Sequence, residues 1–235
     1  MFGLFRKKAR PSHDGTVALR PRDCHSHVIP GVDDGSRTMD ESLQMLRMLG
    51  EQGATHVIAT PHIYPGRFDN ETDPLRRAFD GLQEQADGHG DLPTLELGAE
   101  HYLDDALLPR VEANDLLAFG AERYVLFETP TGSQTPEQLL DVCFALVDRG
   151  YTPLMAHVER YRYLRNEAGA ELLEDLRAAG AKFQVNRTPA ARGKARSNPR
   201  SAFISTLQAR GWVDEVGSDM HRPTASGRPE TLKAA

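Results

Sequence analysis

The chain has 235 residues, 39% hydrophobic and 26% charged, with a net charge of −6 at neutral pH. That length and composition suit an α/β domain with a buried core and exclude a disordered polyampholyte, while the negative balance argues against a broad nucleic-acid surface. No apolar run reaches the roughly 18 residues of a membrane span, and two cysteines, Cys24 and Cys143, make no disulfide framework, so a reducing, cytoplasmic setting is expected.

Residues 1–20 read as a flexible leader, with Pro11, Ser12 and Gly15 breaking any helix and no apolar stretch long enough for a secretion signal. Met1, Phe2, Leu4 and Phe5 beside Arg6, Lys7, Lys8 and Arg10 have the composition for weak contact with the anionic inner face of a membrane, although a solvated tail is the ordinary behaviour of a terminus. The domain proper is expected over 21–235. A first strand is predicted near 18–27. Thr38-Met-Asp-Glu41 is a capping box, and the helix it opens continues through Leu43, Leu46 and Gly50 to a stop at Gly53. A strand over 56–60, a helix from about Pro74 to Ala86, and strands over 95–100 and 124–128 follow. Thr135-Pro-Glu-Gln138 is expected to start a helix that Gly150 stops. A strand over 152–157, a helix over 168–179 before Gly180, a strand over 182–186, a helix over 198–210 and a last strand over 212–216 complete the pattern. Strands alternating with helices indicate a mostly parallel sheet, and six to eight such units suit a barrel better than an open sheet.

Histidines and carboxylates collect where these strands end. Strand one runs into Asp23-Cys-His25-Ser-His27, and i and i+2 share a face of a strand. The following strands end at His62, Glu100, Glu128 and His157, and the last runs into Gly217-Ser-Asp219-Met-His221; Asp33-Asp34-Gly35 follows the first histidine pair on a loop. In a parallel barrel these ends meet at one mouth, the usual place of an active site. Any one of them alone is more often a solvated or core residue, but their recurrence at successive strand ends is not an accident of composition. Unpaired, the carboxylates would repel one another, and cations remove that cost. A mixed His/Asp/Glu set suits divalent transition metals, and so many ligands exceed one coordination sphere, so two or three ions with a bridging carboxylate are expected.

The segments DCHSHVIPGVDDGS, ATPH, LGAEHY, LMAHVERY and VGSDMH, in this order from about residue 22 to about 230, resemble the polymerase-and-histidinol-phosphatase superfamily. Within it they are similar to the metal-dependent bacterial protein-tyrosine phosphatases of the capsule-regulating type. The resemblance implies an α/β fold, a distorted (β/α)7 barrel holding three divalent ions, manganese first, with iron or zinc as alternatives. It places ligands at His25, His27, Asp34, His62, Glu100, Glu128, His157, Asp219 and His221. His25, His27, Glu100 and Asp219 would serve one ion; His62, Glu128 and His157 a second; Asp34 and His221, which count with the catalytic residues, a third bridged by Glu100. It also implies hydrolysis of phosphotyrosine on protein, a bacterial tyrosine kinase with a tyrosine-rich tail as partner, and control of capsule or exopolysaccharide synthesis. His13, His56, His89 and His101 are expected to bind no metal, from their places in the leader, at the far strand end, in a Gly-flanked loop and facing away beside Glu100.

Arg160, three residues after His157, is placed to grip phosphate oxygens in a planar fork. The resemblance points to a second arginine, Arg228, with Arg222 the nearer neighbour of His221; Arg67 is a weaker candidate. Cys143 to Arg149 fits the C-x5-R string of thiol phosphatases, but Cys143 lies inside a predicted helix whose N–H groups are already bonded, so that reading is rejected. The rival readings are another phosphatase of the superfamily, such as histidinol phosphatase, and a non-catalytic scaffold. An amidohydrolase is disfavoured, because Lys182 begins rather than ends its strand. The C-terminal run from Gly227 to Ala235 starts a helix at Pro229 and ends after about two turns. That end is expected to be frayed or packed by a second copy, with a homo-oligomer as one outcome.

Overall fold

A computed structural model describes residues 15–187 and 198–223. The leader's first part, Arg228 and the C-terminal run expected to start a helix lie outside the described residues. Residues 15–20 lie against the body, with Val17 buried in a core cluster and Gln208 bonded to Gly15 and Thr16.

The parallel pattern is realised in strands β1 (Arg22–Ser26), β2 (His56–Ala59), β3 (His62–Ile63), β4 (Thr94–Leu97), β5 (Glu100–Tyr102), β6 (Tyr124–Glu128), β7 (Thr152–Met155), β8 (Lys182–Asn186) and β9 (Glu215–Gly217). Helices α1 (Met39–Glu51), α2 (Thr72–Asp87), α3 (Leu107–Ala113), α4 (Leu139–Asp148), α5 (Glu167–Ala178) and α6 (Pro199–Arg210) lie between them. The strands pair in the orders β1-β2-β4 and β3-β5-β6-β7-β8-β9, parallel throughout. The sheet curls, because the chain just after β9 returns to β1: Ser26 bridges Met220, and the Asp219 N–H donates to the His25 carbonyl at 2.7 Å. Gly217 permits that approach, since a Cβ there would lie 2.4 Å from the His25 Cβ.

Several boundaries differ from the sequence reading, each for a local reason. The strand expected over 95–100 is two strands, β4 in one sheet and β5 in the other, and the β2 run likewise breaks before β3. Pro61 has no N–H for a ladder, and Gly98 is a close-approach point where a Cβ would meet the Phe119 ring at 2.7 Å. The α4 helix starts at Leu139, not at Thr135, with no side-chain cap. The last strand starts at Glu215 rather than 212, after Trp212 folds back with its N–H on Leu207 O. The α3 helix was not expected; Pro109 within it masks a short apolar pattern. The Thr38 cap is as expected, its hydroxyl accepting from the Glu41 N–H at 3.2 Å.

Alternation along the strands divides the packing into layers. On β6, Val125 and Phe127 join the cluster beneath the helices, while Leu126 joins Cys24, Ile58, Leu154 and Ala156 inside the curl. Glu128 continues the inward parity of Leu126 one step further and reaches the mouth. That inner cluster is a dry floor under the polar residues at the strand ends.

Candidate metal centre

At the mouth a cavity of about 310 Å³ is lined by Asp34, His62, Glu100, Glu128, His157, Asp219 and His221. His25 and His27 lie beneath, fully buried, with Nε2 atoms 3.2 Å apart. Glu100 is the centre. Its Oε2 lies 3.0 Å from His25 Nε2, 3.3 Å from His27 Nε2 and 3.3 Å from His62 Nδ1, and its Oε1 lies 2.9 Å from His157 Nε2. Glu128 Oε1 is 3.4 Å from His62 Nδ1, and Asp219 Oδ1 is 3.4 Å from His221 Nδ1. Asp34 Oδ1 stands 3.4 Å from His221 Nε2 and 3.6 Å from His62 Nε2. Two donors each about 2.1 Å from one cation can be at most about 4.2 Å apart, so these separations suit shared ions.

By distance seven of the nine donors fall into three overlapping groups, His27, Asp34, His62 and His221; His25, His27 and Glu100; His62, Glu100 and Glu128, while His157 and Asp219 fall in none of them. This differs from the apportioning drawn from the resemblance, which kept His27 and His62 apart from Asp34 and His221. The β3 strand contributes to this: pairing with β5 sets His62, shared by the first and third groups, opposite Glu100, shared by the second and third.

Local backbone aims the side chains. The β1–β2 register slips between Asp23 and Ser26, the kind of irregularity that re-aims residues at a sheet edge, so neighbours Cys24 and His25 both reach the interior. His157 (φ 31°) and Asp219 (φ 52°) have left-handed backbone at the ends of β7 and β9. For residues other than glycine such conformations cost on the order of 1–3 kcal/mol and persist where surrounding structure enforces them.

A second layer orients the imidazoles. His27 Nδ1 lies 2.8 Å from Asp33 Oδ2, which leaves Nε2 for the cavity. Gln184 Oε1 accepts from the His157 N–H at 2.6 Å and meets His25 Nδ1 at 3.2 Å. The Gln184 amide donates to Asn186, whose own amide donates to Asp219 Oδ2 at 2.8 Å. None of the three has a role in the sequence reading. Gln184 and Asn186, at i and i+2 and alternating with the apolar Phe183 and Val185 of β8, carried a readable signal as polar residues towards a strand end, and both are buried; Asp33 was hidden by its neighbour Asp34.

The electrostatics fit a cation site. Burial lowers His62 and His157 to about 4, leaving neutral imidazoles, with the Arg160 charge adding to the effect at His157. Burial, then the charges of Glu100 and Asp219, push Glu128 well above the usual carboxylate range. Asp34 Oδ1, His62 Nδ1, His157 Nδ1 and Asp219 Oδ1 are buried without a hydrogen-bond partner. Orphaned donors and acceptors of this kind are expensive, and divalent cations satisfy both them and the carboxylate repulsion. The residues present therefore fit the metal ions that the sequence suggests.

The basic residues separate. Arg160, in a single 3-10 turn over Val158–Arg160, lines the cavity and pairs through Nη2 with Asp219 Oδ2. Arg67 lines the outer wall, 3.8 Å from Asp34 Oδ2. Arg222 turns instead to Glu41 on α1 at 3.3 Å and is not among the cavity's lining residues. His56 bonds to Thr94 and Glu96 at the opposite strand end, and His101 is buried outside the cavity, both away from the donor groups. His13 lies outside the described residues. Cys143 is fully buried in α4, its thiol pushed up to about 12 by burial, which removes the thiolate that a nucleophile needs.

The family model described as capsular polysaccharide synthesis, CpsB/CapC, matches residues 22–235. Tyrosine-protein phosphatase YwqE of Bacillus subtilis is 30% identical over 200 residues, covering 85% of this chain and 76% of that protein. Tyrosine-protein phosphatase CpsB of Streptococcus agalactiae is 26% identical over 205 residues, covering 85% and 82%. A solved structure described as YwqE from Bacillus subtilis and CpsB from Streptococcus pneumoniae, metal-dependent tyrosine phosphatases, superposes with a TM-score of 0.75 at 26% identity, covering 89% of this chain and 83% of that one.

Proposed function

The chain belongs to the CpsB/CapC family of capsular polysaccharide synthesis, and on that premise we propose that it is a metal-dependent phosphatase that hydrolyses phosphotyrosine on protein. The observation that carries the reading is the convergence of His25, His27, His62 and His157 on Glu100 beside an arginine-lined cavity. His25, His27, Asp34, His62, Glu100, Glu128, His157, Asp219 and His221 would hold the ions. Three donor groups favour three divalent ions, and the mixed imidazole and carboxylate set favours manganese, with iron or zinc as alternatives. The curled parallel sheet is in keeping with a distorted (β/α)7 barrel. A bacterial tyrosine kinase with a tyrosine-rich tail, met in the cytoplasm near the membrane, is the partner in this reading; Arg228 would add a second phosphate contact.

Bound divalent ions supply Lewis acidity toward phosphoryl oxygens and make water a competent nucleophile at neutral pH. The chain's own residues do the rest. Neutral His62 and His157 keep lone pairs free, and Gln184 and Asp33 lock the tautomers of His25 and His27. Arg160, tethered by Nη2 to Asp219, is pre-oriented at the cavity wall and neutralises charge on the phosphoryl oxygens. The dry inner cluster of Cys24, Ile58 and Leu126 closes the floor, so the phosphate and its nucleophile enter from the mouth. Water's oxygen bonds to phosphorus as the aryl ester bond breaks, and the products are tyrosine and inorganic phosphate. A phenolate of pKa about 10 leaves more easily than an alkoxide, which reduces the need for a dedicated general acid.

Kinetics with a phosphotyrosine peptide, a phosphoserine peptide and histidinol phosphate test the reading. The metal-reconstituted chain is expected to favour the phosphotyrosine peptide at least tenfold in kcat/KM. A preference for histidinol phosphate would replace the reading with a small-molecule phosphatase.

A further inference from the structure

We infer that Tyr64 and Tyr102 form the subsite for the aromatic ring of the substrate, and that this pair sets a preference for aryl over alkyl phosphate. The inference rests on the phosphatase reading above and adds what selects the ester. Tyr102 follows Glu100 by two residues, and Tyr64 follows His62 by two. Residues i and i+2 share a face about 7 Å apart along the strand. The β3–β5 register sets His62 opposite Glu100, so the same step on both chains brings Tyr64 beside Tyr102. The rings stack, with centroids 3.7 Å apart and planes 5° from parallel. Both line the cavity with His62 and Glu100 and are partly exposed. The strands run towards the mouth, so the aromatic pair stands one pleat outside the donor layer.

That depth matches the chemistry of the ester. A phosphate held at the donor layer by a tyrosine has its ring immediately outside. A phosphoserine has only a methylene there, and its peptide backbone would have to descend beside the stacked pair into the space that a substrate ring would fill. The wall is preformed. After Tyr64 the chain reverses through Gly66 (φ 80°), and Tyr64 and Phe68 exchange backbone hydrogen bonds of 3.1 and 2.7 Å. Phe68 stacks on His62 with planes 9° apart, and the Arg67 guanidinium lies over the Tyr64 ring at 5.9 Å. This short reversal thus couples the aromatic wall to the donor cluster. Aromatic rings prefer stacked or edge-on partners, and the pair offers both to an incoming ring.

Direct binding separates this inference from turnover. Calorimetry on the metal-reconstituted full chain would compare phenylphosphonate with methylphosphonate, which share a phosphonate head and differ in the ring. The wild type is expected to bind phenylphosphonate at least tenfold more tightly. Tyr64→Leu with Tyr102→Leu should bring that ratio below threefold while methylphosphonate affinity stays within twofold, and Tyr64→Phe with Tyr102→Phe should preserve the ratio. A wild type without ring preference would overturn the inference without needing any variant to fold. So would a leucine variant that keeps the preference, or one that loses both ligands equally. The broader phosphatase reading fails on a different result, the absence of phosphotyrosine turnover by the wild type.

Discussion

Glu100→Gln is expected to lower turnover of a phosphotyrosine peptide at least a hundredfold and to reduce the metal retained after dialysis. Four imidazoles meet this one carboxylate at 2.9–3.3 Å, more than meet any other acid in the cavity. Glutamine keeps the size and one acceptor oxygen, so it removes the charge while leaving a hydrogen-bond partner in place. If Glu100 merely bonded the histidines, the exchange would be mild. If it shares its charge among ions, the loss falls on metal affinity and on transition-state charge together. A hundredfold corresponds to about 2.7 kcal/mol, modest for a buried ligand carboxylate. Elemental analysis and steady-state kinetics on the same preparation check it. Normal metal content with full activity would remove Glu100 from the centre.

Arg160→Ala is expected to lower kcat/KM at least tenfold without lowering bound metal. The guanidinium lines the cavity, is largely buried, and is fixed by its pairing with Asp219. A tenfold loss is about 1.4 kcal/mol, less than a charge-assisted contact to a phosphoryl oxygen usually contributes. The pairing sets the sign for the metal. Removing a cation that competes for Asp219 leaves that carboxylate freer to bind an ion, so metal content should hold or rise. Arg160→Lys keeps the charge but not the fork and should restore only part of the rate. If activity fell only in proportion to lost metal, Arg160 would be a positioning residue for Asp219 and not a phosphate contact.

Much of this was legible because two periodicities dominate the sequence. β6 and β8 begin and end where alternation and flanking residues place them, and the donors follow strand ends in chain order. What escaped was non-local. The run from Leu95 to Glu100 reads as one strand, and the chain's change of sheets at Gly98, where the Phe119 ring from a distant segment packs too close to admit a Cβ, depends on contacts far apart in sequence. The closeness of His62 to Glu100 could not be read, since it depends on β3 meeting β5. Thr135 carries a proper cap signature, yet α4 begins at Leu139, where the buried face starts with Leu139, Val142 and Cys143; packing outweighs a cap of about 1 kcal/mol. Arg222 was the plausible neighbour of His221 by sequence, and its partner Glu41 comes from the other end of the chain. Tyr64 and Tyr102 carried no signal in the sequence, since it takes the β3–β5 register to set them side by side.

The central claim is that catalysis belongs to the His/Asp/Glu cluster and not to a thiol. Its most direct measurement is phosphotyrosine-peptide turnover by the wild type and by Cys143→Ser, before chelation, after chelation and after manganese is returned. Activity should vanish on chelation and recover with the metal, and Cys143→Ser should match the wild type at each stage, since its thiol is buried within α4. Turnover that survives complete metal removal, or a folded Cys143→Ser protein without activity, would contradict the account.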